Sequence, residues 1–151
     1  MLVAEILKDK GDGVFTINPD RTLAQACAAL NQHRVGALIV QNHTDEGSGE
    51  REGPVLGILS ERDVVRAIAK HGVEALVQPI SFHMTSDVVF AAPVEAVAVL
   101  MARMTDRRIR HLPVLRDGHL AGVISIGDVV KCQIAEATRE AESLRTYIAA
   151  G

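Results

Sequence analysis

The chain contains no tryptophan, one tyrosine and three phenylalanines, so aromatic residues make up only 3% of it. A core poor in rings has to be filled by Val, Leu, Ile, Ala and Met, the usual filling of α/β interiors with β-branched strands. The same scarcity argues against a single-stranded nucleic-acid platform, where bases stack on aromatic side chains. Cysteine is scarce as well. Cys27 and Cys132 stand in unrelated contexts without metal-ligand spacing, and both read as small packing residues in a reducing cytoplasm. No run approaches the roughly 20 apolar residues of a membrane span. Residues Met1 to Lys10 carry Glu5, Lys8, Asp9 and Lys10, unlike a secretory signal. A net charge of −3 and a pI near 6.0 offer phosphate backbones no overall attraction, so any anion site has to be local. These absences predict a cytoplasmic protein with neither a membrane nor a nucleic acid as partner.

Catalytic signatures are missing too. There is no nucleophile elbow, no HExxH and no Walker-type phosphate loop. The histidines, His33, His43, His71, His83, His111 and His119, are scattered, and none pairs at metal-ligand spacing. The expectation is a protein that is not an enzyme and carries neither a metal nor a catalytic cofactor.

What the chain does have is an internal repeat. VFTINPDRTLAQACAALNQHRVGALIV, from Val14 to Val40, is answered by VVFAAPVEAVAVLMARMTDRRIRHLPV, from Val88 to Val114. Pro19 matches Pro93, Leu30 matches Met104, Arg34 matches Arg108, Val35 matches Ile109 and Val40 matches Val114, all at one spacing of 74. Further on, GILSERDVV from Gly57 matches GVISIGDVV from Gly122 at a spacing of 65. The shortening places extra residues in the first copy, QNHTDEGSGEREGPVL, which reads as a solvated hairpin excursion.

Each copy predicts the same elements. A short β run (Val14–Ile17; Val88–Ala91) leads through Pro to a helix with apolar periodicity (Thr22–His33; Val94–Asp106). Two apolar strands follow, Ala37–Gln41 with Val55–Leu59 and Leu112–Leu115 with Leu120–Ile124, the second pair joined by an Asp117-Gly118 hairpin signal. Ser60 or Ser125 then opens a second helix. Arg34, Arg107 and Arg108 sit where a helix ends, near the negative pole of its dipole. The tail, Val129 to Ala150, reads as one long helix with Ile134, Ala137, Ala141, Leu144 and Ile148 at spacings of three and four, to pack on this chain or on a second subunit.

The chemistry points to the two strand-to-helix junctions, Gly57 to Asp63 and Gly122 to Asp128. A helix N-terminus there presents free N–H groups and partial positive charge. Ser adds a hydroxyl, and the Asp three residues later adds a carboxylate able to accept from two adjacent ribose hydroxyls. The competing reading is a capping box that needs no ligand. Against it stand the shorter Asp in place of Glu or Gln, and a Gly three residues before each Ser that would let a backbone approach a ligand.

The ordered pair "RVGALIV" then "GILSERDVV", and "RIRHLPV" then "GVISIGDVV", resembles a tandem pair of cystathionine β-synthase (CBS) domains, a Bateman module of the stand-alone bacterial type. The likeness runs from about Val3 to Cys132. It implies an α/β (α+β) fold of two pseudo-twofold β-α-β-β-α repeats, divided as 1–72 and 73–132, with a helical extension over 133–151. It also implies a regulatory sensor holding an adenine nucleotide, AMP first, or ATP or NAD(H), in a cleft between the repeats. On that likeness one site takes Asp128 and Ser125 for the ribose, Arg110 and His111 for the phosphates, and Val14, Phe15, Val35 and Ala37 beside the adenine. A second takes Ser60 and Asp63 for the ribose, with Val88, Ile109 and His111 around the base and Arg62 where the other junction has Gly127. Gly36-Ala37 replaces Arg110-His111 there, which favours the Asp128 site as the tighter one. Family habit further implies a homodimer and a separate effector protein, with the C-terminal helix and the Asp45–Glu52 loop as reporters. The rival reading is a ligand-free dimerisation or protein-interaction module.

Overall fold

The computed structural model describes residues 1–11, 13–42 and 53–151; the expected Asp45–Glu52 excursion lies outside them. The chain folds as two compact units. One is continuous, Gly13–Val89; the other is split, joining the first dozen residues to Phe90–Gly151. The packing units therefore divide the chain differently from cuts at 72/73 and 132/133.

In the continuous unit, β1 (Thr16–Ile17) runs parallel to β2 (Ala37–Gln41), which pairs antiparallel with β3 (Val55–Ser60). Helix α2 (Leu23–His33) starts at Thr22, whose side chain accepts from the Gln25 N–H while Gln25 reaches back to the Thr22 N–H. Helix α3 (Glu61–His71) leaves β3 directly at Ser60. Leu23, Ala26, Leu30, Leu38, Val40 and Leu59 close the core between these helices and the sheet. The pattern of β2 explains its place: four of its five residues are buried, as a strand covered on both faces requires.

The split unit repeats this plan with α4 (Val97–Arg107), β4 (His111–Arg116), β5 (His119–Ser125) and α5 (Ile126–Ala150). Strands β4 and β5 pair antiparallel across Asp117 and Gly118, both at positive φ, as the hairpin signal requires. Two expectations are corrected here. Val88–Ala91 is not a strand; only Ala91 bridges, in parallel, to Val114. The ladder bonds stop at that residue: the Ala91 N–H donates to the Pro113 carbonyl and its carbonyl accepts from the Leu115 N–H, both at 2.9 Å. Helix α4 begins at Val97 rather than Val94, because Pro93 to Ala96 stays outside the helix and Ala96 is extended (φ −73°, ψ 139°). The second helix and the tail are one uninterrupted helix of 25 residues.

Helix α1 (Val3–Lys10) is an element the repeat did not reveal, and it explains why one unit is split. Val3 and Ala4 donate to the carbonyls of Glu95 and Pro93; Ile80 and Ser81 donate to those of Arg21 and Pro19. These acceptors are matched repeat positions, so Val3 and Ile80 open equivalent segments. The first such segment precedes the first repeat in sequence but is built into the unit of the second. The other, leading the second repeat, is built into the unit of the first.

A glycine admits each segment. A Cβ on Gly57 would lie 2.7 Å from Met84 Sδ and 2.8 Å from the Thr85 carbonyl oxygen; one on Gly122 would overlap the Leu7 Cδ2 methyl. Because a backbone oxygen cannot swing aside as a leucine methyl can, we expect Gly57→Ala to cost about 1–3 kcal/mol and Gly122→Ala distinctly less. Chemical denaturation of the two variants checks this; an equal or larger loss for Gly122→Ala would refute the distinction.

Candidate functional site

The two Ser-x-x-Asp junctions both fold as capping boxes. At the α5 junction the Asp128 N–H donates to Ser125 Oγ (3.2 Å) and the Ser125 N–H donates to Asp128 Oδ2 (2.8 Å). At the α3 junction the Asp63 N–H donates to Ser60 Oγ (3.3 Å), while Ser60 N–H and Oγ donate to Asp63 Oδ2 (2.9 and 3.0 Å). The shorter Asp thus closes the box that Glu or Gln would be expected to close. The glycines before the serines are also filled from within the protein, by Leu7 and Met84, rather than held open for a ligand.

Beyond the cap the junctions differ. Asp63 is 6% exposed, and its second oxygen accepts from Thr85 Oγ1 at 3.3 Å, with Arg66 3.7 Å away. Asp128 keeps 19% of its side chain exposed, and its other partner is Lys10, whose Nζ donates to the same Oδ2 at 2.7 Å and to the Val123 carbonyl at 2.8 Å. Burial pushes the Asp128 carboxyl up, but the hydrogen bonds from Lys10 and Ser125 outweigh it and hold the group below the usual aspartate range. Lys10 is a site residue the sequence reading missed. It stands 118 positions from Asp128 on a helix no repeat announced, so no local motif connects the two.

Around Asp128 the split unit gathers Arg110 and His111 of the expected residues, and it also contains Ile109, expected at the second site. His111 pairs with Ser125 across the β4–β5 ladder, and the Arg110 carbonyl accepts from the Ile126 N–H at 2.8 Å. Arg110 is exposed, His111 and Ile109 half-buried. In the continuous unit Ala37 pairs with Ser60, and the Gly36 carbonyl accepts from the Glu61 N–H at 3.0 Å, so the backbone is the same and the charge is missing. Arg62 is exposed at the first turn of α3. Val14, Phe15, Val35, Ala37 and Val88 are half-buried in this unit, and Phe15 already stacks on His33 with ring centroids 3.9 Å apart. The residues expected beside the adenine and those expected on the ribose of the Asp128 site therefore belong to different units.

The histidines are less scattered in space than in sequence. His71 and His83 lie 5.5 Å apart, with His83 Nε2 at 2.6 Å from Gln78 Oε1. Burial first, then the charges of His71 and Lys70, lower the His83 pKa. Among the described residues no three His, Cys, Asp or Glu side chains gather as a metal site, and no helix is long and apolar enough to cross a membrane.

The CBS-domain family model matches residues 3–70 and 77–135, each match opening on one of the exchanged segments. The chain belongs to the CBS-domain family. Over 99% of its length it is 34% identical to the mitochondrial CBS domain-containing protein CBSX3 of Arabidopsis thaliana, covering 72% of that protein. A CBS-domain protein from Agrobacterium tumefaciens, solved as a crystal structure, superposes with a TM-score of 0.78 at 42% identity, over 87% of this chain and 92% of that one. At 24% identity, a CBS domain protein from Pyrobaculum aerophilum, solved in complex with AMP, has a TM-score of 0.70 over 85% and 89% of the two chains. These matches make the chain a tandem CBS pair of mixed α/β fold with a long C-terminal helix.

The ion pair at Asp128 yields a titration test. Its carboxyl pKa is depressed in the folded protein, so the pair stabilises fully above the ordinary aspartate pKa and is lost as pH falls through the depressed value. In Lys10→Met the largest depressing partner is gone, and we expect Asp128 to titrate at higher pH, read by carbon NMR of the side-chain carboxyl. An unmoved titration would mean that Lys10 does not hold this carboxylate in solution.

Proposed function

We propose that this CBS pair is a regulatory module that binds an adenine nucleotide, AMP foremost with ATP or NADH as alternatives, and that it acts through a separate effector protein rather than by catalysis. The observation that carries the reading is the state of Asp128. It is a partly exposed carboxylate at a helix N-terminus whose bonds from Lys10 and the Ser125 N–H both fall on Oδ2, in a protein of net negative charge that nevertheless sets Lys10, Arg110 and His111 on the elements around it. A ribose offers two adjacent hydroxyls to such a carboxylate, and the 5′-phosphate needs cations within reach. The AMP held by the Pyrobaculum aerophilum CBS protein supports an adenosine-type ligand. Val14, Phe15, Val35 and Ala37 offer half-buried apolar surface of the kind an adenine ring takes. Asp63 with Ser60, beside Arg62, is the weaker ribose position, since its carboxylate is 6% exposed and bonded through both oxygens.

A second reading, a ligand-free interaction module, is favoured by one feature. On α3, Val65 is 66% and Ile68 42% exposed beside a groove floored by Leu30, Val35 and Val64. An uncovered apolar strip of this kind suits a homodimer or an effector contact.

Calorimetric titration of the purified, ligand-free protein with AMP, ATP, NADH and S-adenosylmethionine separates the two. We expect saturable binding of an adenine nucleotide. Asp128→Ala, which removes charge-assisted hydrogen bonds worth about 1.5–3 kcal/mol each, should weaken it at least tenfold. Asp63→Ala should leave that binding in place, and Arg110→Ala should reduce affinity for AMP more than for adenosine. Silence from all four ligands on folded protein would turn the assignment to the interaction module.

A further inference from the structure

Helix α5 runs far past the unit it caps. Beyond Gln133 only Glu136, which accepts from the N-terminal ammonium at 3.0 Å, is less than exposed, and from residue 137 to the end of the helix every position is exposed. The apolar residues along it are not scattered. Val130, Ile134, Ala137, Ala141, Leu144 and Ile148 recur at alternating steps of four and three, a heptad seam about 27 Å long at 1.5 Å per residue. Val130 is 46%, Ile134 61%, Leu144 62% and Ile148 75% exposed, so this seam faces water. Ile134, Ala141 and Ile148 take the a positions; Val130, Ala137 and Leu144 take the d positions. Ile134 and Ile148 at a with Leu144 at d follow the pattern of two-stranded parallel coiled coils, and Ala137 and Ala141 fill the layers between.

The flanking charges choose the partner and its direction. Lys131, Thr138 and Arg145 fall at e, Gln133, Glu140 and Tyr147 at g. In a parallel pair each g residue faces the e residue five positions on in the other strand, which sets Glu140 against Arg145 twice over. In an antiparallel pair g faces g and e faces e, which would set Glu140 against its own copy and Lys131 against Arg145. Like charges there would oppose assembly. Glu136, Arg139 and Glu142 fall on the outer positions, as solubility of such a pair requires.

We propose that residues 130–148 of α5 form a parallel two-stranded coiled coil with the same segment of a second copy of this chain. The seam is a property of the helix surface and stands whether or not a nucleotide binds.

Cross-linking of the 151-residue chain tests it. In the parallel register Leu144 meets Leu144 of the second copy at a d layer, close enough for a disulfide. Antiparallel pairing puts Leu144 opposite Ile134 instead. Under mild oxidation we expect Leu144→Cys to run as a covalent dimer on a non-reducing gel. The parent chain, with Cys27 and Cys132, and Glu142→Cys, on the outer face, should not. A Leu144→Cys chain that stays uncross-linked, or a Glu142→Cys chain that cross-links equally well, would overturn the proposal. Leu144 is exposed, so the substitution threatens no core. Sedimentation provides the second arm. Arg145→Glu should weaken dimerisation roughly three- to tenfold, and adding Glu140→Arg should restore it. A double variant no stronger than the single one would rule out the parallel register.

Discussion

Both units depend on a close approach permitted by glycine. Gly57 and Gly122 sit at matched positions in β3 and β5, opposite Val40 and Val114 of their partner strands. A side chain at either would meet the segment that closes the unit, Met84–Thr85 in one and Leu7 in the other. Without that approach the sheets would lose their covering segment, and units of this size bury too little surface to lose one. The same approach carries chemistry. With Leu7 seated over Gly122, the last turn of α1 brings Lys10 to the Val123 carbonyl and to Asp128. The charge beside the candidate ribose carboxylate is thus a consequence of how the fold is closed.

Much of this architecture was legible because the repeat preserves what local physics needs. The Ser-x-x-Asp caps, the Pro before each first helix, the Asp-Gly hairpin and the paired Arg34 and Arg108 all mark element ends, and they stand where such ends occur. Both arginines adopt the left-handed conformation (φ 53°) that stops α2 and α4. The covering segments were not legible, and the reason is specific. Leu2 to Leu7 and Pro79 to Met84 fill equivalent places without one identical residue, because a lid needs only apolar bulk at three or four positions. The two glycines were legible as close-approach positions, but a bare sequence could not say whether a ligand or the chain itself makes the approach.

The two junctions also show how little of a candidate site resides in its motif. Their caps are closely alike: the Asp N–H to Ser Oγ bonds are 3.3 and 3.2 Å and the Ser N–H to Asp Oδ2 bonds 2.9 and 2.8 Å. What separates them comes from neighbours on other strands and helices: Arg110-His111 against Gly36-Ala37, and Lys10 against Thr85. A neutral hydroxyl on the more buried Asp63 satisfies that carboxylate within the protein. A lysine on Asp128, itself at the surface, leaves a charged pair that a polar ligand can enter by exchanging one partner for another. Such an exchange costs less than stripping a buried carboxylate of its bonds, since the displaced ammonium returns to water or to a phosphate.

Helix α5 runs from the candidate site at Asp128 to the exposed apolar residues of its tail. Its first turn holds Asp128 and receives the Arg110 carbonyl; the exposed seam runs along the rest of it, from Val130 to Ile148. A helix transmits a shift at one end along its axis with little loss, because every turn is hydrogen-bonded to the next. If occupancy at Asp128 alters how the first turn is held, the helix tail is the part of the chain where the change is amplified in position. Coupling of this kind requires only that the ligand favour one arrangement over another by about 1–3 kcal/mol. A salt bridge that is made in one state and exchanged in the other is of the right size to supply it. The extension beyond the repeats is then more than an appendage: a single helix carries Asp128 in its first turn and exposed apolar side chains along its tail.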